Sequence, residues 1–98
     1  MRLNNYSYVH KKIRYLISIL EYELDLKCKT DLNSVLYGLR FYSEDGLRYM
    51  IIDFRREVIY ILSVNLNYKQ RNMVEDLMLN LKWLEMGEKF STKNTTNF

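Results

Sequence analysis

The chain reads as an α+β protein: one domain in the order α-β-β-β-α, with a three-stranded antiparallel meander packed by two helices. Three observations predict this. Apolar residues recur every three or four positions over residues 7–27, alternate at every second position over residues 34–64, and return to helical spacing over residues 68–86.

The first helix carries a stripe of Val9, Ile13, Leu16, Ile17, Leu20 and Leu24. Ser7, or Asn5 in its place, offers the side-chain oxygen that an N-cap needs. The segment CKTDLNS that follows shows no period and several turn-forming residues, so a loop is expected there. The segments SVLYGLRFYS, LRYMIIDF and VIYILSV are rich in the β-branched and aromatic residues that suit strands. Between the first two, Asp45-Gly46 predicts a two-residue hairpin loop with both residues at positive φ. The second helix is expected from Tyr68 to Met86, capped by Asn65 or Asn67 and stopped by Gly87 at C′. Its stripe is Val74, Leu77, Met78, Leu81 and Leu84. The domain is expected over residues 1–90, with a polar, disordered tail over 91–98.

The hairpin loop fixes which residues oppose one another. Phe41 faces Met50, Leu39 faces Ile52 and Tyr37 faces Phe54; an Arg55-Arg56 turn then sets Ile52 against Ile59 and Met50 against Ile61. Opposed residues share a face. Tyr37, Leu39, Phe41, Met50, Ile52, Phe54, Ile59 and Ile61 make one thoroughly apolar face, where the helices belong. The other face carries Arg40, Tyr42, Tyr49, Ile51, Asp53, Val58, Tyr60 and Leu62, a mixture unlike the polar alternation of a solvated sheet.

Apolar surface is in excess elsewhere too. Tyr8, Tyr15, Ile19, Tyr22 and Leu26 form a second row on the first helix, and Leu79, Trp83 and Met86 lie opposite the main stripe of the second. Either the helices flank both faces of the sheet, or an apolar patch stays open as a partner surface.

Composition bounds the function. Across 98 residues there is no alanine and no proline, while Asn, Lys, Ile, Leu and Tyr are abundant. This bias follows AT-rich codons and points to a low-GC bacterium, or to a phage or plasmid of one. The same bias discounts the formal net charge of +3 as a functional signal. No apolar run approaches the roughly 20 residues of a membrane helix, the N-terminus lacks the pattern of a signal peptide, and the single cysteine cannot form an internal disulfide. A cytoplasmic location with no membrane contact is expected.

Chemistry is scarce. The only histidine, His10, sits among basic residues. Cys28 lies between Lys27 and Lys29, which should lower its pKa, but a nucleophile also needs a base. Asp53 and Glu57 lack the following lysine of a metal-nuclease pair, and no phosphate loop or metal-ligand spacing occurs. No enzyme and no cofactor are expected. In the first helix, His10, Lys11, Lys12 and Arg14 precede Glu21, Glu23 and Asp25, an order opposed to the helix macrodipole.

The order of elements resembles that of the double-stranded RNA-binding domain, whose second helix opens with a lysine cluster. The corresponding stretch NYKQRNMVEDL carries only Lys69 and Arg71, so the resemblance is one of topology and implies no membership.

The expected function is therefore a small non-catalytic protein-binding module, phage- or mobile-element-encoded. It would act as a stoichiometric inhibitor of a larger host protein or protein–nucleic-acid complex, of the anti-CRISPR kind. Aromatic and arginine anchors dominate interfaces, which selects Arg40, Tyr42, Tyr49, Tyr60 and Trp83. Tyr15, Ile19 and Tyr22 are the candidate homodimer surface. The alternative is a nucleic-acid binder with phosphate contacts from Arg2, Lys11, Lys12, Arg14, Arg55, Arg56, Lys69 and Arg71, and tyrosines stacking on bases.

Overall fold

The structure is a computed structural model that describes residues 2–32 and 37–97, with side chains placed over residues 8–29 and 38–83. Its elements are α1 (Arg2–Leu24), β1 (Lys27–Leu32), β2 (Tyr37–Tyr42), β3 (Tyr49–Asp53), β4 (Val58–Leu62) and α2 (Tyr68–Asn97). The strands form one antiparallel meander in the order β1-β2-β3-β4. The α+β class holds, but there are four strands where three were predicted, and the extra strand also removes the topological likeness to the double-stranded RNA-binding domain.

The added strand is the segment expected to be a loop. Cys28 pairs with Phe41, Thr30 with Leu39 and Lys29 with Arg40. Lys27 and Lys29 flank Cys28, which packs against the core, a period of two with charges on the outer face, as an exposed edge strand is built. The start of the predicted first strand, residues 34–36, lies outside the described residues.

The predicted register is borne out, although the loops that produce it are longer. Leu39 faces Ile52 and Phe41 faces Met50; Met50 faces Ile61 and Ile52 faces Ile59. In the first hairpin the pairing continues to Ser43 and Arg48, whose N–H and carbonyl bond at 2.9 Å, so four residues form the loop rather than two. Lengthening a loop by one residue on each side leaves the register unchanged. The Gly46 N–H donates to the Ser43 carbonyl at 3.0 Å, and Gly46 alone of the predicted pair has positive φ, at 75°. In the second hairpin, residues 54–57 turn with Glu57 at φ 56°, and the Arg56 N–H donates to the Asp53 carboxylate at 3.1 Å.

Both helices pack on the apolar face. Ile13, Leu16, Leu20 and Leu24 of α1 meet Val74, Leu77 and Leu81 of α2 over Leu39, Phe41, Met50, Ile52 and Phe54 in one buried cluster. The molecule has two layers, so the alternative of helices on both faces is excluded. The Tyr37 side chain lies outside the described residues.

Helix limits differ from expectation. α1 starts at Arg2, so neither Ser7 nor Asn5 stands at its N-terminus; no glycine or proline upstream interrupts the helix. It ends in a Schellman turn, with Asp25 at φ 54° and the Leu26 N–H donating to the Glu21 carbonyl at 3.1 Å. Leu26 is the buried apolar residue that such a turn places on the core. At α2, Asn67 is the cap. The Gln70 N–H donates to Asn67 Oδ1 at 2.7 Å, and the Asn67 N–H donates to Gln70 Oε1 at 3.0 Å, a reciprocal capping box. α2 then continues through Gly87 to Asn97. Glycine in a helix costs about 1 kcal/mol relative to alanine, which strong helix formers such as Glu85, Met86, Glu88 and Lys89 absorb.

Candidate functional site: the open face of the sheet

With both helices on one side, the other face of the sheet is bare among the described residues. Two cross-strand rows lie side by side on it. One runs Lys29, Arg40, Ile51, Tyr60 and the next Lys27, Tyr42, Tyr49, Leu62. The rows grade from cationic at β1, through Arg40 and Tyr42 at β2, to aliphatic and aromatic at β3 and β4. Val58, Tyr60 and Leu62 are exposed, Tyr60 at 43 %, whereas Tyr42, Tyr49 and Ile51 are half-buried by their neighbours. Lys29, Arg40, Tyr42, Gly46, Tyr49 and Ile51 line a shallow depression of about 400 Å³.

The exception on this face is Asp53, only 2 % exposed. Its carboxylate closes the β3–β4 turn, accepting the Arg56 N–H and lying 3.8 Å from Arg56 Nε.

Four of the five predicted anchors, Arg40, Tyr42, Tyr49 and Tyr60, therefore share one surface. Trp83 does not. It is 68 % exposed on α2, and because both helices lie on the inner face, it stands on the opposite side of the molecule from the tyrosines. Tyr15, Ile19 and Tyr22 do come together, in a groove at the solvent side of the seam between α1 and α2, with Lys69 and Met73.

The predicted phosphate contacts are dispersed. Arg55 and Arg56 occupy the turn before β4, whereas Lys69 and Arg71 open α2 after it. Lys11, Lys12 and Arg14 lie on α1, where Lys12 pairs with Asp76 at 3.2 Å. The Arg2 side chain lies outside the described residues. Lys27 and Lys29, both absent from the expected set, are the cations that β1 adds to the open face.

Cys28 is a correction. Its thiol is pushed up to about 12, first by burial and then by the Glu21 carboxylate, and the flanking lysines do not lower it. The side chain packs against the core, and Glu21 accepts the Cys28 N–H at 2.8 Å. Among the described residues no three His, Cys, Asp or Glu side chains could hold a metal ion together, and no helix is long and apolar enough to cross a membrane.

Sequence reasoning missed Arg48. Its Nη2 donates to the Leu24 carbonyl at 2.9 Å, and its Nε to the Ser63 carbonyl at 3.4 Å. One guanidinium thus ties the C-terminus of α1 to the first hairpin and to the chain leaving β4. No local pattern signals such a role, because its partners are backbone carbonyls remote in sequence. No protein-family model, curated protein or solved structure matches this chain.

Proposed function

We propose that this protein is a non-catalytic binding module that uses the open face of its sheet to occupy a surface of a larger protein. The observation that carries this reading is the packing of both helices on one side. It leaves Tyr42, Tyr49 and Tyr60 beside Arg40 on a rigid antiparallel sheet. Tyrosine and arginine supply contact area and directional hydrogen bonding at modest entropic cost, the composition of interface hot spots. The amino-acid bias is compatible with a phage or mobile element of a low-GC bacterium, and such a module would inhibit a host protein or protein–nucleic-acid complex stoichiometrically.

The test is affinity capture from host lysate with wild-type protein and with the Tyr49→Ala and Tyr60→Ala variants side by side. Each variant is expected to stay folded by circular dichroism and to weaken capture of the same partner by roughly 30-fold, the size of a 2 kcal/mol hot spot. Unfolding of both variants would assign these tyrosines to the core and end the reading.

A second reading rests on Lys29 and Arg40, which oppose each other across β1 and β2 beside Tyr42. Cations next to stacking aromatics suit single-stranded nucleic acid. Salt separates the two readings, since phosphate contacts weaken steeply with ionic strength. A gel shift with DNA and RNA at low salt that retains no band removes the second.

A further inference from the structure

The two edges of the sheet are built differently. β1 presents Lys27 and Lys29 at alternate positions. These are the charges by which monomeric proteins keep an edge from pairing with other strands. β4 reads Val-Ile-Tyr-Ile-Leu from Val58 to Leu62, without a charge, a proline or a glycine. It also lacks a bulge, since it pairs residue for residue with β3 along its length. Its inner face is not fully roofed either. Ile61, on the side of the sheet that the helices cover, is 44 % exposed. With Ile59, Val64 and Val74 it lines a groove of about 350 Å³ between β4 and α2. Among the described residues, one edge is protected and the other is left open.

We infer that β4 pairs antiparallel with β4 of a second copy about a two-fold axis through Tyr60, joining two four-stranded sheets into one of eight strands. The strand suits this partner for two reasons. About Tyr60, Val58 stands opposite Leu62 of the second copy and Ile59 opposite Ile61, so every pair is apolar on both faces and no like charges meet. The axis lies perpendicular to the sheet, so both helical layers stay on one side and the apolar floor of Ile59 and Ile61 continues across the junction. This interface is distinct from the Tyr15–Tyr22 groove and does not depend on the function proposed for the open face. It would set two such faces side by side with the Tyr60 rings at the junction.

Light scattering of the full chain tests this. The wild type is expected at twice the 12.0 kDa chain mass, and Ile61→Lys, which puts a charge on the floor of the junction, at the single mass with an unchanged circular dichroism spectrum. A wild type that stays monomeric overturns the inference and leaves the edge to a strand of another protein. A folded Ile61→Lys that remains dimeric also overturns it and places the dimer elsewhere, with the helix seam as the next surface to examine. Should Ile61→Lys fail to fold, cysteine cross-linking in a Cys28→Ser background decides. Val58→Cys mixed with Leu62→Cys is expected to form a disulfide-linked dimer on oxidation, and absence of that cross-link overturns the inference.

Discussion

At the scale of single residues, two positions hold geometry that their neighbours cannot replace. Gly38 lies in β2 where a Cβ would come within 1.8 Å of the Ile52 carbonyl oxygen. That atom belongs to the backbone of the adjacent strand and cannot swing away, so any side chain must spread β2 from β3. Gly38→Ala is expected to cost on the order of 3 kcal/mol, read as a lowered urea midpoint; an unchanged midpoint would show that the strands part easily there. Arg48 is the second. Replacing it with methionine keeps most of its apolar stem but leaves the Leu24 carbonyl at the end of α1 without its charged donor. Hydrogen bonds to charged groups contribute about 1.5 kcal/mol at the lower end, the appropriate end for a half-exposed site. Arg48→Met should lower the melting temperature by several degrees, and a neutral result would reduce the guanidinium to a surface decoration.

At the scale of elements, charge order and turn chemistry find their reasons in tertiary contacts. The acidic end of α1 opposes the macrodipole, yet Glu21 accepts the Cys28 N–H and Glu23 accepts from Gln70 Nε2 at 3.0 Å, joining α1 to β1 and to the start of α2. Lys12 reaches Asp76 on α2 in the same way. The hairpin ends carry a different set. Glu44 is held below the usual carboxylate range by its hydrogen bond and ion pair with Lys27. Asp45 is held down by the Ser43 hydroxyl and the Leu47 N–H, and Glu57 by Lys82. Each carboxylate has a folded pKa below its unfolded one, so its contribution is fully present above the unfolded value and is lost as pH falls through the folded value. Stability should therefore decline on acidification below the ordinary values of 4.5 for Glu and 3.8 for Asp. All three groups are exposed, so the decline should be shallow and shrink further in salt. Urea midpoints at neutral pH and at about pH 3 check this, and a rise in midpoint on acidification would contradict it.

At the scale of the whole molecule, the decisive feature is asymmetry between layers. Two helices and one sheet face share a single core, and the remaining sheet face must then be either polar or occupied. Here it is neither polar nor covered among the described residues. The open face has no part in the helix–sheet core, which leads to a further expectation. The double variant Tyr49→Ala, Tyr60→Ala should lower stability far less than Leu39→Ala or Phe41→Ala, each of which removes a fully buried side chain at about 2–5 kcal/mol. Comparable losses in thermal melts would mean that the outer tyrosines belong to the core. The two edges show a second asymmetry, and together the open face and the open edge concentrate the available surface on one corner of the sheet.

The sequence by itself determined what depends on short-range periodicity. The stripes of α1 and α2 and the register of the two hairpins from β2 to β4 follow from side-chain spacing, because a strand alternates every residue and a helix returns every three or four. Even a misjudged loop left the register intact, since four residues in place of two preserve both facing and offset. Only the tertiary structure decided the rest. β1 is a strand because β2 offers it backbone partners, although its own residues carry the polar signature of an edge. The apolar face that the helices cover was legible from pairing; that both helices share it depends on fitting two stripes over one floor, a packing question that no local pattern contains. Arg48 and Gly38 took their roles from backbone atoms of elements that only folding brings near. The same holds for the site. The shared face of Tyr42, Tyr49 and Tyr60 was legible from pairing alone, whereas the addition of Lys27 and Lys29, the separation of Trp83 and the contrast between the two edges appeared once the layers were stacked.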